Sequence, residues 1–328
     1  ALSWETQKGE VCHVGNPPGS QTDMYAKPVA VPHGIRLEAQ QPARKGPVEE
    51  WKGWGRIIHE EGVYRSWYVM INGYSKLGTG SAAHKGTPEL VEICRVESKD
   101  GYSWSAPHKC RIDIKNQSGF DGVTFFVDPA APANERYKFI YNAVVPEGQF
   151  EEEWQAYWKQ HPRYQDQRLR RHRFALFAAV SPDGFSWKSV PQPLMFHPSD
   201  TDTTVYYDQY LGKYVLYTRM YREDRRWVGR AESDDFYHWG PIEPVIWPQL
   251  DDPPDHDIYL NGFTLYPGLP EYRLMFPMVW HRFTERSDIR LYSSADGIAW
   301  NRVPGGPVIS PGAAGSWDSE FLGSGKDL

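Results

Sequence analysis

The 328 residues are enough for one large domain or two ordinary ones, and 40% hydrophobic with 24% charged residues describes a folded chain rather than a disordered one. A net charge of −6 argues against a general nucleic-acid surface, and no apolar run approaches the length that crosses a membrane. Three cysteines, Cys12, Cys94 and Cys110, make no disulfide framework and show no Cys/His zinc spacing; Cys94 and Cys110 could pair or stay as free buried thiols.

Residues 1–45 read as an irregular N-terminal segment with edge strands. Asn16-Pro17-Pro18-Gly19 is a loop signal, and the prolines in residues 27–37 are compatible with an edge strand but not a central one. The sequence opens at Ala1 without Met, which fits either a removed leader or a trimmed chain and leaves the location open, a secreted or periplasmic one being favoured.

Residues 46–328 read as one repeating domain. Strands are expected at 54–59, 64–71 and 90–97, then at 123–127, 137–141 and 174–180. The order recurs at 203–207, 214–218 and 227–232, and at 262–266, 272–276 and 289–293. Each set ends in the same seven-residue stretch: Ser98-Lys-Asp-Gly-Tyr-Ser-Trp104, Ser181-Pro-Asp-Gly-Phe-Ser-Trp187, Ser233-Asp-Asp-Phe-Tyr-His-Trp239 and Ser294-Ala-Asp-Gly-Ile-Ala-Trp300. The constant spacing of Ser, Asp and Trp marks an internal repeat. Its chemistry is that of a turn: Ser and Asp accept from nearby N–H groups, and Trp opens a short fourth strand and packs beneath. Tyr64, Tyr137, Tyr214 and Tyr272 open the second strands and set the same register.

Four short strands per unit describe propeller blades, so the fold class is an all-β, five-bladed β-propeller of four-stranded antiparallel blades. Four blades are expected complete, and a fifth is expected to begin at residues 315–322; either the sequence is cut inside it, which is the favoured reading, or this tail completes the ring with N-terminal strands. One insertion, residues 147–173, interrupts the second blade. The spacing of Trp154 and Trp158 predicts a short helix there, read first as a solvated flap and second as a cleft wall or oligomer contact.

In a propeller the entry ends of the first strands meet the face where ligands bind. The polar residues expected there are Glu49 and Glu50, Asp121, Asp202, then His256, Asp257 and Asn261, and finally Asp318 and Glu320. The ends of the second strands add Asn72, Tyr74, Asn142, Arg219, Arg222, Trp280 and His281. Acids converging on one axis push each other's pKa values apart, which supplies one acid and one base. Two such carboxylates flanking a sugar bond are what glycoside hydrolysis requires. Arg219 suits a carboxylate or sulfate on a sugar.

The blade order and the Ser-x-Asp-Gly-x-x-Trp turn resemble the five-bladed β-propeller glycoside hydrolases, the superfamily of arabinanases, invertases and levansucrases. The resemblance spans roughly residues 50–322 and is architectural; the invertase-like Asn-Asp-Pro-Asn-Gly and Arg-Asp-Pro motifs are absent. It implies three essential carboxylates at the starts of the first three first strands, which fall on Glu50, Asp121 and Asp202. Asp121 would orient substrate and tune a partner, with Glu50 and Asp202 as acid and as base or nucleophile. His256, Asp257, Asn142, Arg219, Trp280, His281, Asp318 and Glu320 would bind substrate. The expected partner is a carbohydrate, with no nucleic acid or membrane; no cofactor is expected, a divalent cation being left open. The competing class is a non-catalytic carbohydrate-binding propeller that uses aromatic stacking.

Overall fold

The computed structural model describes residues 2–5, 11–13, 36–39, 42, 56–71, 91–113, 118–160, 173–199, 203–266 and 268–325. The chain forms two compact units. One comprises Pro47–Asp224 and Gly229–Glu243; the other comprises Ala1–Gly46, Arg225–Val228 and Pro244–Leu328.

The N-terminal stretch holds a small sheet of β1 (Leu2–Glu5), β2 (Val11–His13) and β3 (Arg36–Ala39), in the order β2-β1-β3. The first two of these strands lie in the segment read from sequence as irregular. The first blade-like sheet runs β4 (Ile57–Glu60), β5 (Val63–Ile71), β6 (Val91–Ser98) and β7 (His108–Lys109), in chain order. The second contains β8 (Arg111–Asp113), β9 (Ser118–Val127), β10 (Tyr137–Val144), β11 (Phe174–Ser181) and β12 (Ser186–Ser189). Its order is β8-β12-β11-β10-β9, and β8 pairs parallel to β12, a fifth strand that the repeat did not announce. The third sheet is β13 (Thr204–Asp208), β14 (Lys213–Arg222), β15 (Arg225–Ser233) and β16 (Glu243–Ile246), again in order.

The fourth repeat is split into two sheets. β17 (His256–Leu260), β20 (Met278–His281) and β21 (Arg286–Ile289) form one; β18 (Phe263–Tyr266), β19 (Leu269–Met275), β22 (Tyr292–Ser294) and β23 (Asn301–Arg302) form the other. All three long strands break at one level, at Asn261-Gly262, Phe276-Pro277 and Arg290-Leu291. Two backbone bonds cross the break, Phe276 N–H to Gly262 O at 3.0 Å and Arg290 N–H to Pro277 O at 3.0 Å. Pro277 has no N–H to give a ladder. Gly262 has φ +54°, and a Cβ there would stand 2.5 Å from the Phe276 carbonyl oxygen, so only glycine fits.

The four turns are built as their sequence suggests. Asp100 Oδ1 accepts from the N–H groups of Tyr102 and Ser103 at 2.8 and 2.7 Å, and Ser98 Oγ accepts from Gly101 N–H at 2.9 Å. Asp183, Asp235 and Asp296 repeat the pattern within a tenth or two of an ångström. In the third copy Phe236 occupies the glycine position with φ +75°. Three of the tryptophans, Trp104, Trp239 and Trp300, are half-buried and donate Nε1–H to the carbonyl of that position. Only Trp187 is a fully buried residue, contrary to the expectation for all four, because it lies in the aromatic core. The tyrosine register also shifts once: Tyr64 and Tyr137 face Ser98 and Ser181, but Arg273, not Tyr272, faces Ser294.

That aromatic core lies on one side of the second sheet. Phe125 stacks on Phe139 at 4.3 Å, Phe139 on Tyr141 at 4.9 Å, and Trp187 meets Phe125 and Phe139 edge-on. The predicted helix α1 (Glu151–Gln160) is present, with Trp154 and Trp158 each 2% exposed and packed into this core. It is therefore not a solvated flap. Arg173 clamps it by donating to Glu151 at 2.7 Å and lying over the Trp154 ring. Cys94 and Cys110 are buried free thiols; burial pushes Cys110 up to about 12. The expected fifth first strand is not formed among the described residues. Instead, residues 319–322 lie along β21, with Ser287 N–H donating to Glu320 O and Ser287 Oγ–H to Leu322 O. Trp187→Ala is expected to cost about 3–5 kcal/mol as a core truncation, and Trp300→Ala clearly less; urea unfolding of both variants checks this, and equal losses would contradict it.

Candidate functional site

The site residues expected from sequence fall in both units. In the unit containing the second sheet, Asp121 lies inside β9 rather than before it, directly opposite Asn142 of β10. The pairing around it is irregular twice. Two residues, Gly122 and Val123, stand between Asp121 and Thr124 where only Tyr141 stands between Asn142 and Ile140; two more, Gly119 and Phe120, stand between Ser118 and Asp121 where only Ala143 stands between Val144 and Asn142. Each mismatch is a β-bulge, and bulges bend a strand and re-aim what it carries. Gly122 sits in the first. Asn142 is fully buried with neither amide atom bonded, and so is the Thr124 hydroxyl at 1% exposure. Such groups are uncommon, because a buried unpaired polar atom costs about 1–3 kcal/mol.

The third sheet is tied down by hydroxyls. Thr218 donates to Ser199 Oγ at 2.8 Å and therefore accepts from Thr203 at 2.8 Å; all three are fully buried. Arg219 follows, 3% exposed, with Nη1 3.4 Å from the Tyr221 hydroxyl. Its carbonyl oxygen accepts from His197 Nε2–H at 2.7 Å, which fixes the tautomer, so His197 Nδ1 accepts from Tyr157 O–H at 3.3 Å. Helix α1 is thereby connected to the strand end that carries Arg219. Sequence reasoning missed Tyr157 and His197; nothing local in their neighbours marks them. Asp202 directly precedes the anchored Thr203, but Asp202, Glu49, Glu50, Asn72 and Tyr74 lie outside the described residues. Arg222 is exposed and near Glu223.

In the other unit, Asp257 pairs with Trp280 and His256 with His281 across β17 and β20, which puts each pair on one face. Asp257 is fully buried. It accepts from Arg226 at 2.8 Å, with Arg225 and Arg282 at 3.8 Å from its second oxygen. The Arg226 guanidinium lies over the rings of both Tyr259 and Trp280, at 5.0 and 4.9 Å, and the two rings meet edge-on at 5.6 Å. On the opposite face the His256 and His281 rings stack at 4.0 Å. His281 Nε2–H donates to Asp288 at 2.8 Å, and Arg290 spans Asp288, Asp252 and His256 Nδ1. Asn261 Oδ1 accepts from Phe263 N–H at the break in the strand. Asp318 accepts from Ser316 Oγ–H within its own turn, and Glu320 is exposed. The Arg225-Arg226 pair is the signal that could have identified the Asp257 clamp from sequence. Among the described residues no group of three His, Cys, Asp or Glu side chains is placed to hold a metal ion, and no helix is long and apolar enough to cross a membrane.

No family model matches the chain, and no curated protein matches it. Solved structures do. A thermostable family-43 glycoside hydrolase superposes with a TM-score of 0.52 at 13% identity, over 79% of this chain and 74% of that one. Another glycoside hydrolase gives 0.51 at 16%, over 81% and 76%. The BT0996 protein, solved in an RGII complex, gives 0.51 at 16%, over 83% and 78%. With the antiparallel sheets of four strands, this likeness gives the chain its fold: a β-propeller, of the five-bladed kind.

Burial lowers the His256 pKa from 6.5, helped by His281 and Arg290 and opposed by Asp255 and Asp288. A lowered folded-state value means that the unfolded chain binds the proton more readily. The stability this residue contributes is therefore present above pH 6.5 and is lost as pH falls through the folded value. Denaturant unfolding between neutral and mildly acid pH should show this decline, and His256→Phe, which keeps a stacked ring, should flatten it. An unchanged slope in the variant would remove His256 as the source.

Proposed function

We propose that the chain is a glycoside hydrolase that cleaves a glycosidic bond in an oligo- or polysaccharide by a two-carboxylate mechanism. The observation that carries this reading is Asp121, held between two bulges and opposite a buried Asn142 whose amide makes no bond. A strand distorted twice around one acid serves placement of that acid better than it serves the ladder. Asp121 would orient the sugar and raise a partner's pKa, with Asp202 and Glu50, of the same unit, as acid and as base or nucleophile. The hydroxyl chain Thr203–Thr218–Ser199 supports this by anchoring the residue next to Asp202. Two structures with the same fold are glycoside hydrolases, which adds to the reading.

Asp202→Asn removes a titrating proton at constant size and is expected to lower turnover by about a hundredfold or more with little change in melting temperature. Asp121→Asn should also impair turnover, through its partner's pKa. The measurement is hydrolysis of a broad glycan panel by wild type and both variants. Wild-type rates in both variants would move the chemistry elsewhere; binding without any hydrolysis by the wild type would leave a carbohydrate-binding propeller.

A further inference from the structure

The two faces of the second sheet differ in kind. Phe125, Phe139, Tyr141, Ala143 and Phe177 build the aromatic core on one. On the other, Thr124 is the register partner of Ile140, and Asn142 follows Ile140 by two residues, so Thr124 and Asn142 share that face. Leu176 faces Asn142 across the next strand pair, and Ala178 faces Ile140. Two fully buried polar side chains with free hydrogen-bonding atoms thus stand among Ile140, Leu176 and Ala178. Lys138, two residues from Ile140 on this face, is engaged by Glu135 at 3.0 Å and Asp128 at 3.7 Å.

An Asn amide offers two N–H donors and a carbonyl acceptor, and a Thr hydroxyl offers one donor and acceptor lone pairs. An anion would call for donors alone and a cation for acceptors alone. A mixed, uncharged set complements a group that both donates and accepts, which is an alcohol. From this, and resting on the reading of the site as one for carbohydrate, we propose that Asn142 and Thr124 form a hydroxyl-reading subsite beside Asp121. It takes one neutral hydroxyl or hydroxymethyl group of the sugar and rejects the sugar that lacks it. Rejection follows from the dry walls: a deoxy analogue leaves the buried amide unpaired, and sites built to bond a hydroxyl discriminate far more strongly than sites that only fit shape.

Asn142→Leu separates a subsite from an unused polar residue. Leucine is close in shape, and its neighbours are apolar, so this variant should melt no lower than wild type. The probes are D-glucose, D-galactose, D-xylose and L-arabinose with their monodeoxy counterparts, titrated by calorimetry. Wild type should prefer one hydroxylated sugar over its monodeoxy partner by roughly a hundredfold, and Asn142→Leu should bind both alike. Thr124→Val, nearly isosteric, should erode the same preference and serves if Asn142→Leu fails to fold. Wild-type discrimination retained in the variants would overturn the proposal, as would a wild type that tells no sugar from its deoxy partner or binds none of them. Because the readout is binding, a protein that discriminates but hydrolyses nothing would sink the hydrolase reading and leave the subsite standing.

Discussion

Each repeat depends on one aspartate that collects backbone N–H groups. The carboxylate of Asp100, Asp183, Asp235 or Asp296 receives two consecutive N–H groups and the serine hydroxyl two residues before it. Charged acceptors make the stronger hydrogen bonds, and here they fix a turn that would otherwise have no ladder to hold it. The third copy shows the strength of this constraint. Phe236 takes the left-handed backbone at a cost of order 1–3 kcal/mol, and its ring is fully buried, edge-on to Tyr214 with Lys138 above it. Side-chain burial offsets the strain, so the turn survives without its glycine.

This local economy explains why so much of the fold is legible in the sequence. Turn chemistry and period-two alternation both act over fewer than ten residues, and β5, β10, β14 and helix α1 fall where those patterns put them. Features set by pairing partners are not legible. The bulges around Asp121 exist only relative to β10, and the parallel seat of β8 on β12 joins segments about 75 residues apart. The split of the fourth repeat needs Gly262 and Pro277 to fall at one level of a sheet, which their positions in the chain do not announce.

At the candidate site the legible part is the placing of two acids along their strands. Looking for acids at the entry of first strands leads to Asp121 and Asp257; both lie inside their strands instead, opposite Asn142 and Trp280 in the register. What surrounds each acid was not legible, because it depends on side chains that arrive from other strands. Arg226 and Arg282 reach Asp257 from strand and turn positions roughly 30 and 25 residues away.

The two acids differ in what stands opposite them. Asp257 is sealed from water and held by a guanidinium at 2.8 Å with two more at 3.8 Å. Removing a partner from such a pair strands a buried charge, and the carboxylate holds Arg226 over Tyr259 and Trp280. Asp121 stands in the backbone register opposite a neutral amide with unspent bonding capacity, and the pairing shifts on both sides of it. In the proposed hydrolase the acid opposite the unspent amide is therefore the one to carry chemistry, while Asp257 is occupied by its guanidinium partners.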